Sequence, residues 1–472
     1  PDVYAALRKA DKNGLFQVES RAPMSCLPRL RPRRFYDIVV QVAIIRPGPI
    51  VGKMLNPYLQ RRQGLEPATC LHPLLEPILK RTLGVPLFQE QLLRMAMVVA
   101  GFTGGEAEEL RRAMGFKRSE ARMQEIEVKL RRGMEANGIT GAQQDTIVQS
   151  ITSFALYGFP ESHAASFALI AYASAYLKCH YLAAFTAALL NNQPMGFYHP
   201  ATLVKDAQRH GLRVFPVDVT RSDWPCTIEP VNGSLCLRLG LNYVRGLRED
   251  TTQVLLAERA RSSFASIADL ARRVPQIAKE ELRTLAEIGA LNFIEGQRKV
   301  NRRDALWDAE LALQPAGPLL ESLNPAQAAS PLAPMNSIER INADFRGTGL
   351  TIGIHPMGLR RAELERLGVT RAIDLGRYRD GQPVRIAGCV ICRQRPDTAK
   401  GFVFLSLEDE TGISNAILLP DIFERHKQVI VGEPYLFIEG ILQNQQNAIS
   451  VKVRRVEALK FEQNAVPSHD FH

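Results

Sequence analysis

Val384-Arg385-Ile386-Ala387-Gly388-Cys389-Val390-Ile391 opens a stretch in which apolar residues recur at every second position. Phe402–Leu407, Asn415–Leu419, Tyr435–Ile441 and Ala448–Val453 repeat the pattern, and a short helix fits near Asp421–Lys427. A period of two is the signature of half-buried strands. Five such strands with a helix between the third and fourth predict a closed five-stranded barrel, the OB fold, over 381–462. Arg393 and Arg395 leave the first strand, Lys400 opens the second, and Phe402 and Phe404 share one strand face. Aromatics beside cations on such a barrel make a stacking platform for single-stranded nucleic acid; a phenylalanine filling the barrel core is the other reading. Cys389-Val390-Ile391-Cys392 lacks a second pair of ligands. In a regular strand its two thiols would point to opposite faces, which argues against zinc.

Upstream of the barrel the period changes. Residues 314–336 are rich in Pro, Ala and Ser and read as a linker. Between about 240 and 300 two short helical hairpins are expected, Gly240–Leu247 and Leu282–Leu291, with turns at Gly246 and Gly289. Glycine-containing turns of this kind can offer backbone N–H groups to phosphates, or they can be plain hairpins. Residues 1–215 read as mainly helical, with helices at Gln91–Ala100, Glu106–Met114 (Thr103 as N-cap), Ser119–Asn137 and a long Ala-rich one from Glu161 or Ser162.

Three features of this helical part could carry chemistry. Arg111, Arg112, Lys117 and Arg118 pack four cations into eight residues. Guanidinium forks suit a triphosphate or a nucleic-acid backbone, while Glu108 and Glu109 beside them also allow solvated ion pairs. His163 stands at the start of the Ala-rich helix, where it could donate to a phosphate or serve as a cap or core residue. Arg46-Pro47-Gly48-Pro49 fixes a rigid exit from the apolar run Ile38–Ile45, and Arg46 is its only chemically active member.

Bulk properties agree with these assignments. A chain of 472 residues exceeds one core, and about three domains are expected. Its 46% hydrophobic and 23% charged residues are ordinary for a globular protein. No apolar run reaches the roughly 20 residues of a membrane helix. Seven scattered cysteines fit a reducing cytoplasm better than a disulfide framework. The net charge of +10 is localised, because residues 1–215 hold 27 Lys and Arg against 17 Asp and Glu while the remainder balances. Such asymmetry suits a polyanionic partner.

Taken together the segments resemble the bacterial C-family DNA polymerases, the alpha subunits of the replicative polymerase III. The resemblance rests on Gly14–Arg21, Val42–Pro49, Leu87–Gln91, Leu110–Gly115 and Tyr157–Ala168, which follow one another in the family's order. Pro160–Phe167, Asn192–Tyr198, Arg393–Gly401 and the terminal Ser468-His469-Asp470-Phe471-His472 look like the error-prone, damage-induced branch. His469 stands where that branch usually has Arg.

The resemblance implies polymerase fingers with the end of the palm at 1–215 and a tandem helix-hairpin-helix region at 216–313. Connecting elements at 314–380, an OB domain at 381–462 and a tail at 463–472 complete the expected order. It implies triphosphate contacts by Arg111, Arg112, Lys117 and His163. DNA contacts are expected from Arg46, Gly246, Gly289, Arg393, Arg395, Lys400 and Phe402. The family's palm aspartates and their Mg²⁺ ions lie upstream of the Phe-Gln-x-Glu-Ser segment, so this chain alone is expected to be a C-terminal portion without catalytic or metal-binding residues. Asp11, Glu19 and Asp37 sit in no metal-binding motif of the family. Partners implied are primer-template DNA, dNTPs and, since no clamp-binding segment is found near 314–345, an inactive Y-family polymerase relative bridging to the sliding clamp. The role implied is translesion synthesis and mutagenesis in the response to DNA damage. The alternative is a truncated, inactive relative that acts as a DNA-binding scaffold.

Overall fold

A computed structural model describes the chain except residues 20, 46–50, 116–119, 156–158, 197, 295–299, 314–329, 397–398 and 461–472. It forms two compact units, Pro1–Cys179 with Gln446–Ala448, and His180–Gln445 with Ile449–His472. Among the described residues no helix is long and apolar enough to cross a membrane.

The first unit is helical, and its central helix is Gln89–Ala100. Gln91 makes its start: the side-chain oxygen accepts from the Leu87 and Phe88 amides at 2.8 and 3.1 Å, and its amide donates to Thr82 Oγ1 at 2.9 Å. These contacts satisfy donors that a helix N-terminus leaves without partners. Gly101, at φ 66°, ends the helix in the left-handed conformation that glycine adopts without strain. Leu92, Met95, Ala96 and Val99 pack against Leu110, Leu130, Met134 and Ile147 of the following helices. Thr103 caps the Gly104–Gly115 helix reciprocally with Glu106, as the sequence predicts. That helix turns Leu110 into the core and leaves Arg111 and Arg112 exposed.

The Ala-rich helix runs Glu161–His180 and buries its small residues Ala164, Ala168, Ala171 and Ala175. Its larger side chains Leu169, Ile170, Tyr176 and Leu177 are exposed. Alanines on the inner face allow the close backbone approach that the composition suggests.

The second unit joins helices, a small sheet and a barrel through one apolar core. Strands β1 (Val214–Phe215), β2 (Thr227–Val231) and β3 (Ser234–Arg238) form the small sheet in the order β1-β3-β2. Of the two expected hairpins, the segment Gly240–Leu247 is not helical. It is a single 3-10 turn, Leu241–Tyr243, followed by the helix Glu249–Arg261. The apolar residues Leu241, Val244 and Leu247 are buried as anchors of an irregular segment. The second hairpin does contain a helix, Lys279–Glu287, turning at Gly289. The helix Ser337–Thr348 sits directly on it, for a Cβ at Gly347 would collide with Ile288.

The barrel follows the sequence closely. Strands β4 (Pro383–Gln394), β5 (Val403–Glu408), β6 (Ile413–Leu418), β7 (Tyr435–Gln445) and β8 (Ala448–Ala458) close in the order β4-β5-β6-β8-β7. The helix Pro420–Gly432 lies between the third and fourth of them. Val384, Ile386, Val390, Leu405, Leu407, Leu436 and Ile438 fill the interior. Ala387, Cys389 and Tyr435 instead belong to the core shared with the helices, with Phe437 packed against it. The outer side of β4 and β7 is therefore covered around Ala387, Cys389, Tyr435 and Phe437.

One expectation fails here. Cys389 pairs with Glu408 and Cys392 with Ser406, with a register shift between Val390 and Cys392. Since Glu408 and Ser406 are two residues apart on one strand, both cysteines face the same side, not opposite ones. The extra residue of the bulge cancels the alternation. Both are buried, and among the described residues no third metal-ligating group joins them.

Candidate nucleic-acid and nucleotide interface

With the β4/β7 side covered, the barrel's open side is formed by β5, β6 and β8. The ladder pairs Gln394 with Phe404, Phe404 with Ile417, and Ile417 with Lys452, so these four side chains form one row across the outside. Phe404 and Ile417 are half-buried and Lys452 is exposed. Phe402, two residues before Phe404, is also half-buried, and Arg454, two after Lys452, is exposed. Neither phenylalanine is buried in the barrel core. Lys452 and Arg454 are absent from the sequence expectations, although the alternation Val451-Lys452-Val453-Arg454 carries the signal.

The loop cations divide. Lys400 is exposed, with a left-handed φ of 51°. Arg395 is exposed, lies 4.9 Å over the Phe423 ring and is 3.8 Å from Glu424. Arg393 is placed differently, donating to the Ile430 carbonyl at 2.7 Å and the Glu433 carbonyl at 2.8 Å. It closes the C-terminal end of the Pro420–Gly432 helix, where cations meet the helix dipole and the carbonyls left without partners.

Gly246 and Gly289 both adopt left-handed φ, 80° and 83°. The neighbouring backbone donors are largely engaged within the protein. Arg245 N–H donates to Gly347, Leu247 to Val244, Gly289 to Ala286 and Ala290 to Leu285. Arg248 N–H donates to Glu281 Oε1 at 2.9 Å. Both glycines thus sit in left-handed turns while most of the neighbouring amides serve the fold.

In the first unit Arg111 and Arg112 converge on Glu108. Arg111 binds both carboxylate oxygens, Nε to Oε2 at 2.8 Å and Nη2 to Oε1 at 2.7 Å, and Arg112 Nε reaches Oε1 at 3.3 Å. Hydrogen bonds from Arg111 hold the Glu108 carboxyl well below the usual carboxylate range, at about 2. His163 lies between Phe159 and Phe167, ring centroids 4.9 and 4.3 Å away, and Phe16 extends the row 5.4 Å beyond Phe167. The helix start beside it is already occupied, since Glu161 N–H donates to Glu90 Oε2 at 2.9 Å. His163 is therefore placed to stack. Among the described residues no direct contact joins it to Arg111 or Arg112. Lys117 and Arg46 lie outside the described residues.

Of the carboxylates Asp11, Glu19 and Asp37, the first and last are held by cations. Asp11 is held by Lys178 Nζ at 2.7 Å. Asp37 is held by Arg62 at 2.7 Å and accepts from the Arg33 and Arg34 amides. Burial pushes the Glu19 carboxyl up to about 7.

Residues 1–138 match the family described as the bacterial DNA polymerase III alpha subunit finger domain, and residues 211–301 match a helix-hairpin-helix motif. The error-prone DNA polymerase of Anaeromyxobacter dehalogenans (strain 2CP-1 / ATCC BAA-258) is 47% identical over 100% of this chain and 42% of its own length. Those of Methylococcus capsulatus and Nocardia farcinica are 44% and 46% identical, each over 97% of this chain and over 45% and 40% of their own lengths. Among solved structures, asparaginyl-tRNA synthetase from Pyrococcus horikoshii matches 20% of this chain and 23% of its own at 24% identity, with a TM-score of 0.17 that bears no weight. The chain spans less than half the length of these curated relatives. Finger-domain match, helix-hairpin-helix match and full-chain identity coincide on one ordered polypeptide, and the chain belongs to the error-prone branch of the bacterial C-family DNA polymerases.

Proposed function

We propose that this chain is the C-terminal, substrate-handling portion of an error-prone DNA polymerase. In this reading it contacts primer-template DNA and the incoming dNTP, while the palm aspartates and Mg²⁺ that perform nucleotidyl transfer belong to the longer protein. The observation that carries it is the open barrel face, where Phe402, Phe404 and Ile417 lie beside Lys400, Lys452 and Arg454. Half-buried rings next to exposed cations suit bases stacked on a surface that follows the phosphates. Arg111 and Arg112 bind the triphosphate, Lys117 adds charge there, and His163 stacks at the nucleotide site. Gly246 and Gly289 shape turns that approach the DNA backbone, and Arg46 contacts it from the fingers. The biological setting is translesion synthesis after DNA damage in the cytoplasm, with the clamp reached through an inactive Y-family relative.

Two measurements test this reading. Binding of a single-stranded oligonucleotide, followed by fluorescence anisotropy, is expected to weaken about 10- to 100-fold between 50 and 200 mM salt as counterions are released. Phe404→Ala is expected to cost about 1–3 kcal/mol of that affinity through lost stacking. Arg393→Ala, by contrast, is expected to lower stability by about 1 kcal/mol and leave DNA affinity near the parent's. Salt-independent binding, or an Arg393 variant that loses DNA while Phe404→Ala does not, would remove the barrel face from the interface. The chain by itself is expected to give no primer extension with Mg²⁺ and dNTPs. Robust extension by pure chain would place the metal site within it.

A further inference from the structure

Arg111 presents two nitrogens to two oxygens of Glu108 in the parallel geometry with which guanidinium groups also take phosphate. One of those oxygens is shared with Arg112. A single carboxylate thus sits where one phosphate would bridge both arginines. All three residues lie on the Gly104–Gly115 helix at spacings of three and four, and therefore on one side of it. The side chains are open to solvent, 40% for Glu108, 49% for Arg111 and 71% for Arg112, so a ligand can reach them without any movement of the fold. The neighbouring acid Glu106 is engaged elsewhere, by Lys129 and Thr103.

We propose that Glu108 is a positioning residue, an internal anion that holds the two guanidinium groups in register and yields them to the polyphosphate chain of a nucleotide. The inference rests on the triphosphate role given above to Arg111 and Arg112. Its consequence is selectivity by charge. A ligand must replace a full negative charge, because Glu108 is ionised throughout the working pH range. A linear triphosphate, with several charged oxygens, can engage both forks as it displaces the carboxylate. Orthophosphate gains much less from the same exchange. An ordinary surface ion pair would also bring these side chains together, and removing its charge would favour every small anion alike; a carboxylate that holds the two forks for a polyphosphate is distinguished by a gain for tripolyphosphate that exceeds the gain for orthophosphate.

The test uses the chain with inorganic tripolyphosphate as the probe, by isothermal titration calorimetry. Glu108→Gln keeps the side chain's shape and removes its charge. It is expected to tighten tripolyphosphate binding roughly three- to tenfold and orthophosphate binding less than about twofold; an equal gain for both anions would overturn the positioning role. NMR of the Arg111 Nε–H is expected to show faster solvent exchange in that variant, and Arg111→Ala is expected to abolish binding. If Glu108→Gln binds no tighter while Arg111→Ala still loses the ligand, the positioning role is overturned and the triphosphate site stands. If neither Arg111→Ala nor Arg112→Ala changes affinity, the triphosphate site itself fails, and the role of Glu108 with it.

Discussion

Glu408→Ala is expected to remove about 3–5 kcal/mol of stability from the unit that carries the barrel, the loss typical when one partner of a buried ion pair is deleted. Glu408 ends β5 with 1% of its side chain exposed. Arg209 Nη2 lies 2.7 Å from Oε1, Thr202 Oγ1 3.4 Å from Oε2, and His355 Nε2 3.9 Å from Oε2. Alanine would leave the largely buried Arg209 guanidinium without its counter-charge. Burial alone would raise the Glu408 carboxyl, but the His355 contact and the Arg209 charge outweigh it and hold the group below its ordinary value. A carboxyl with a depressed folded value contributes stability above its unfolded pKa of about 4.3, and that contribution is lost as pH falls through the folded value. Urea denaturation of parent and variant at pH 7 and at decreasing pH checks both points. The difference should shrink as the solution becomes acidic. A variant within 1 kcal/mol of the parent at pH 7 would show that the contact adds little to the joint.

On the proposed function, Arg111→Ala combined with Arg112→Ala in the longer protein is expected to lower kcat/KM for dNTP by about 100-fold. Charge-assisted hydrogen bonds contribute roughly 1.5–3 kcal/mol each, and the pair supplies at least one that the variant cannot replace. Arg111→Lys is not expected to rescue, because an ammonium lacks the planar fork that the Glu108 contact displays. DNA affinity should change far less. The check is steady-state single-nucleotide incorporation alongside an equilibrium DNA titration. Loss of DNA affinity with unchanged kcat/KM for dNTP at saturating DNA would make these residues backbone contacts.

The barrel was the most legible part of the fold because a period of two recurs in each of five segments between Val384 and Val453. What broke it was invisible in the residue types. The bulge before Cys392 carries no glycine, yet it decides which way both thiols face. Arg393 looked like its neighbours Arg395 and Lys400. Its carbonyl partners lie 37 and 40 residues along the chain, beyond the reach of a local pattern. Local geometry was readable: the Thr103–Glu106 cap and the Glu108–Arg111 spacing both act within one helical turn. The Phe159, His163 and Phe167 rings share a spacing of four, but the Glu90 side chain that occupies the helix start comes from 71 residues away. The apolar positions around Gly240–Leu247 promised a helix, and tertiary packing used them as anchors of a turn instead.

Small five-stranded barrels are often treated as portable cassettes, and this one is not portable. A cut at residue 381 would lay bare Ala387, Cys389, Tyr435 and Phe437 and leave Arg209 facing water where Glu408 had been. A fragment made that way carries a sticky flank opposite the β5/β6/β8 face proposed for nucleic acid, and aggregation would mask any measured affinity. The smallest piece that can be inherited, swapped or engineered as a whole begins before the helix Pro200–Arg209, so changes in the barrel and in the hairpin region must be selected together.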